Sequence, residues 1–136
     1  MTLIDPDTVL KTDNSQIDSS HAEFTQLLNQ MSAANNLEFA KLFAELLTHT
    51  EQHFQEENRL MEQSGFPAQT EHKAEHQRIL GELTQFKKRL DKGLVAFARA
   101  YATEKLPAWF TLHLSTADSA LVEHLIRALK SKDSVS

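Results

Sequence analysis

Apolar residues recur along this chain at helical spacing. From Asp18, which reads as an N-cap, Phe24, Leu27, Leu28 and Met31 keep to one face until Asn35 and Asn36. A second stripe of Phe39, Leu42, Phe43, Leu46, Leu60 and Met61 runs to the breaker Ser64–Gly65–Phe66–Pro67. A third, Ile79, Leu80, Leu83, Phe86 and Leu90, ends in the basic residues Lys87, Lys88, Arg89 and Lys92 and in Gly93, a C-terminal signature. A fourth helix is predicted over roughly Leu94 to Leu114, with Pro107 kinking it or marking a late start. A short final helix from about Ala117 to Lys130 carries Leu121, Val122, Leu125 and Leu129 on one face.

Residues 1–17 lack such a period and predict an extended N-terminal arm; residues 131–136 predict a polar tail. Short connections between long amphipathic helices give an all-α fold, an antiparallel up-down four-helix bundle with that arm and the short C-terminal helix. The 136 residues fit one domain, since single domains run to about 100–200. Three glycines and three prolines supply too few turn formers for a sandwich or barrel.

Charge and cysteine count remove several function classes. Nineteen acids against fourteen bases, a net charge of −5, argue against a nucleic-acid partner, which would need clustered Lys and Arg. No window approaches the ~18 apolar residues of a membrane span, and the N-terminus lacks a basic start followed by an apolar stretch. A soluble, cytoplasmic protein with no membrane partner is expected. The absence of cysteine excludes disulfides, Cys-ligated zinc and iron–sulfur clusters.

Seven histidines stand against that background. At about 100° per residue, His53 and Glu57 fall on the apolar face of Leu46 and Leu60. His72 aligns with Ile79 and Phe86, His76 with Leu83 and Leu90, His21 with Phe24 and Leu28, and His113 with Leu106, Trp109 and Phe110. One core histidine bonded to a backbone carbonyl is ordinary. Five with a core glutamate would destabilise the bundle unless they bind something, and a metal ion resolves the conflict. The spacings His53-x-x-x-Glu57 and His72-x-x-x-His76 let each pair reach one small volume.

Asp118 follows His113 by five residues, a non-helical interval that works only if the chain ends or turns between them; its plainer role is an N-cap for the terminal segment. His49 sits near the edge of its stripe, an edge residue or a partner to the site rather than a ligand. His124 falls off the Leu121 face and reads as solvent-exposed. No glutamate lies three residues before any histidine, which disfavours a ferritin-type site, and HExxH is absent, which disfavours a zinc peptidase.

The segments IDSSHAEFTQLLNQM, HFQEENRLMEQSGFPAQTEHKAEH and HLSTAD, with His21, His53, Glu57, His72, His76, His113 and Asp118 in order, resemble the hemerythrin family, especially its bacterial single-domain members. The likeness spans roughly Ile17 to Leu121. It implies two non-haem irons bridged by an oxo or hydroxo group and by Glu57 and Asp118. His72, His76 and His113 would then saturate one iron, while His21 and His53 bind the other and leave one position for dioxygen. His49 stands where the family usually has an aromatic. The resemblance implies reversible dioxygen binding for storage, delivery or sensing, an oxygen-binding protein rather than an enzyme. Two alternatives use the same centre: an enzyme reducing peroxide, nitric oxide or dioxygen, and an interaction module responsive to iron or redox state.

Overall fold

The structure, a computed structural model, describes the backbone of residues 15–135 and the side chains of residues 21–113 and 116–128. Three helices, α1 (Ser15–Ala33), α2 (Asn36–Ser64) and α3 (Gln69–Asp91), precede a fourth rod built from five pieces. These are α4 (Val95–Ala100), a π-helical turn at Tyr101–Lys105, α5 (Leu106–His113), a second π turn at Leu114–Asp118, and α6 (Ser119–Val135). The described residues are helical throughout, apart from short turns. No helix among them is long and apolar enough to cross a membrane.

The turns have local causes. Asn35 caps α2 with its side-chain oxygen, which accepts the Glu38 N–H at 2.9 Å. Gly65, at φ 67°, ends α2 in the left-handed conformation that glycine tolerates. Its neighbour Phe66 donates its N–H to the Met61 carbonyl at 3.0 Å, and Met61, Phe66 and Leu121 pack together. Gly93, at φ 88°, repeats the device, with the Leu94 N–H on the Arg89 carbonyl at 2.9 Å. Arg99 ties the first turn down from the fourth rod: its guanidinium donates to the Met31 and Ala34 carbonyls and lies over the Phe39 ring.

The main core runs from Phe24, Leu28 and Met31 through Phe39, Phe43 and Leu46 to Ile79, Leu83, Leu106 and Phe110. Between it and the smaller Met61–Phe66–Leu121 cluster lies a buried polar layer: His21, Glu57, His72, His76, His113 and Asp118.

Four details depart from the sequence pattern. Helix α1 begins at Ser15, so Asp18 lies inside it rather than capping it; residues 1–14 of the expected arm lie outside the described residues. A stripe of apolar residues marks the buried part of a helix and says nothing of a solvent-facing first turn. The C-terminal helix follows α5 without a break and is longer than expected, with helical backbone through Val135 of the polar tail. Pro107 stands in the first turn of α5, inside the continuous fourth rod. It follows a π turn in which the Leu106 N–H reaches back to Tyr101, so the changed hydrogen-bond pattern already surrounds its missing donor. His124 is half-buried; its Nε2 lies 2.9 Å from the Ser64 carbonyl and its ring packs 5.2 Å from that of Phe66.

Candidate metal centre

The six residues placed on the helical stripes and Asp118 meet in the polar layer. Their ligand atoms form two groups, Glu57 with His72, His76 and His113, and His21 with His53, Glu57 and Asp118, each spanning no more than 4.8 Å. The i,i+4 pairs do as their spacing requires. The unexpected element is the second π turn: an ordinary helix would send residues five apart to different faces, whereas here His113 Nε2 and Asp118 Oδ1 approach to 3.0 Å. Asp118 is 2% exposed and ends that π turn, so it is not an N-cap.

The two carboxylates divide their oxygens alike. Glu57 Oε1 faces His72 Nε2 at 3.0 Å and His76 Nε2 at 3.2 Å, while Oε2 faces His53 Nε2 at 2.5 Å. Asp118 Oδ1 faces His113 at 3.0 Å and His72 at 3.3 Å, while Oδ2 faces His21 Nε2 at 3.0 Å. Each acid thus presents one oxygen to a three-imidazole half and one to a two-imidazole half.

Several of these atoms satisfy no one. Glu57 Oε2, His76 Nε2, His113 Nε2 and Asp118 Oδ1 are buried without a properly directed hydrogen bond. Native proteins seldom leave such atoms orphaned, and a shared cation accounts for all four. The donor set, imidazoles with two carboxylates, therefore fits a metal centre.

Protonation shows the same strain. Burial works against a charged His72, yet the Asp118 and Glu57 carboxylates that its Nε2 faces outweigh burial and push it up to about 9. Burial also disfavours the charge on His53, but the neighbouring Glu57 carboxylate raises it above its usual value. In His76 burial wins and the shift is downward. Burial would raise Glu57, but the charge of His53 and the imidazoles of His72 and His76 that face it hold it well below the usual range. Asp118 is likewise held low by His113, His21 and His72, against burial and the Glu57 charge.

Supporting residues come from outside the stripes. His76 Nδ1 donates to Asn58 Oδ1 at 3.0 Å, which fixes the proton there and leaves Nε2 its lone pair. Phe54 stacks on the His76 ring at 3.8 Å, and Trp109 stacks on His113 at 4.6 Å. The indole N–H of Trp109 is held by Glu75 at 2.5 Å. Arg78 first and Trp109 after it bring the Glu75 carboxyl down to about 2. Sequence reasoning passed over Asn58 and Glu75; the only signal was their position beside Glu57 and His76. A cavity of about 300 Å³ lies against the outer sides of His72 and His113, lined also by Phe66, Trp109, Leu112 and Ala120. His49 stands outside the centre, its Nδ1 3.1 Å from Glu23 on α1 and its ring parallel to that of His53 at 6.3 Å.

Residues 12–125 match the hemerythrin HHE cation binding domain. The chain belongs to the hemerythrin family. Within that family it is 35% identical over 108 residues to a bacteriohemerythrin of Ralstonia nicotianae, covering 79% of this chain and 78% of the relative. It is 33% identical over 129 residues to a bacteriohemerythrin of Aquifex aeolicus, covering 90% and 98%. A hemerythrin-type, metal-binding helical bundle is thus what both the centre and the relatives support.

Proposed function

We propose that this chain is one domain over residues 1–136 that holds two irons in the centre and takes up dioxygen reversibly, for storage, delivery or sensing in the cytoplasm. His72, His76 and His113 would hold one ion, His21 and His53 the other, and Glu57 and Asp118 both. The division of the two carboxylates' oxygens between the two halves carries the reading of two positions. Bound there, a pair of non-haem irons with an oxo or hydroxo bridge supplies the redox chemistry that dioxygen uptake requires.

The chain's own residues set the rest. The His21–His53 half has one imidazole fewer, so it is the half with room for an outside molecule. On the His21 side its wall is apolar: Phe110 packs edge-on against His21 at 5.8 Å and lies 4.4 Å from Phe24. Such a wall excludes water, which would otherwise bring protons and promote loss of a reduced oxygen species. Only two carboxylates offset the metal charge, which favours a reduced resting state and binding over oxygenation. The name of the relatives, bacteriohemerythrin, points the same way.

An anaerobic sample loaded with ferrous iron and then opened to air tests the proposal. An absorption band near the blue–green boundary that reverses under vacuum supports it. Sustained consumption of peroxide or nitric oxide in the presence of a reductant would instead favour an enzyme on the same centre.

A further inference from the structure

Metal must reach a buried layer, and the structure offers it unequal ways in. Side-chain exposure is 10% at His53 and 4% or less at the other six candidate ligands. His49, one turn before His53 on α2, is 14% exposed and turns its Nδ1 to the Glu23 carboxylate, 61% exposed on α1. The 3.1 Å gap between these atoms is also the gap between two neighbouring ligands on one ion, since atoms about 2.1 Å from a metal and at right angles lie about 3 Å apart. The His49 and His53 rings are parallel to within 1°, with centroids 6.3 Å apart, so an ion held at the first stands beside the second.

We propose that Glu23 and His49 form a way station that captures a divalent cation from solvent and passes it to His53, the first ligand of the centre on that side. The inference rests on the two-metal reading above. Glu23 supplies negative charge at the surface, which concentrates cations and replaces part of their water shell. His49 supplies a nitrogen donor intermediate in burial between Glu23 and His53. Two protein ligands hold an ion weakly enough to release it to a site with more.

The cavity beside His72 and His113 is the rival route, and its chemistry suits it less. Its lining is largely apolar, Glu75 within it is already bound by Arg78 and Trp109, and the exposed Glu71 has beside it in that lining only His72 and His113, imidazoles of the centre itself. The α1–α2 side instead pairs a solvent-facing carboxylate with an imidazole that stands outside the centre and next to a candidate ligand.

Cobalt(II) added to the metal-free full chain, followed by stopped-flow absorbance in the absence of oxygen, reads loading without any turnover. Glu23→Gln and His49→Phe should each slow loading at low micromolar cobalt on the order of tenfold. Final cobalt per chain and the final spectrum should match the unsubstituted protein, which also shows that the variants fold. Ala120→Phe, which narrows the rival cavity, should leave the rate unchanged. Loading of both variants at the unsubstituted rate overturns the proposal, as does slowing by Ala120→Phe alone. A lower final cobalt content in His49→Phe also overturns it, because His49 would then belong to the centre itself. If the unsubstituted chain takes up no cobalt, the two-metal reading fails and this inference fails with it.

Discussion

His113 and Asp118 are five residues apart on one rod, and the π turn between them brings their side chains to 3.0 Å. Through that turn an acid that an α-helix would direct elsewhere becomes the counterpart of Glu57. Because each acid faces both halves of the centre, removal of either should empty both metal positions together. We expect Glu57→Ala and Asp118→Ala to fall from two irons per chain to less than one after anaerobic reconstitution. Metal analysis decides it: loss of one iron with the other retained would show that the carboxylates do not bridge.

The raised His72 sets a pH dependence. With a value of about 9 it is protonated at neutral pH in the metal-free protein, so a metal must displace that proton. Metal binding at pH 7.5 should therefore release protons, and affinity should climb until about pH 9 and then level off. In the metal-free protein the same shift stabilises the fold fully below about 6.5 and is lost as pH rises through 9. Calorimetric titration in buffers of different ionisation heat measures the proton count, and a binding heat independent of buffer would contradict it.

Loading should also stabilise the bundle, because an ion that binds only the native state adds its binding free energy to folding. At a hundredfold excess over the dissociation constant this is about 2.7 kcal/mol. For a chain of this size the melting midpoint should rise on the order of 10 °C. Equal midpoints for chelated and iron-loaded samples would exclude the metal as a structural element.

Asn58 holds the His76 proton on the nitrogen turned away from the centre. Asn58→Leu removes that acceptor while keeping the volume, and metal affinity should fall by about 10- to 100-fold. Stoichiometry at saturating metal should stay the same. A competition titration against a chelator of known affinity separates the two outcomes.

His124 donates to the last residue of α2 and packs on Phe66, so it works as a C-terminal cap supplied from α6. His124→Ala should cost about 1 kcal/mol of stability and leave iron content unchanged. Urea unfolding of the iron-loaded proteins measures the first, and metal analysis the second.

Much of the centre was legible because the α-helical period is constant. His21, His53, Glu57, His72, His76 and His113 could be placed on inner faces by counting residues along each stripe. Asp118 could not, since the π turn changes the count, and only the family resemblance carried it. His124 was misread for a related reason. Its partner is a backbone carbonyl 60 residues away, and no side-chain pattern along α6 records where another helix ends. Asn58 lies beside the stripe, where polar residues usually meet water, so its inward bond was equally silent.

The contact between His21 and Asp118 spans 97 residues and encloses α2 and α3 entirely. In a chain without cysteine, ions held between them would do the topological work of a disulfide, closing a long loop and restricting the unfolded chain. A backbone nick within that loop, for example beside Gly65, would then leave two fragments that stay together while metal is bound and separate when it is chelated.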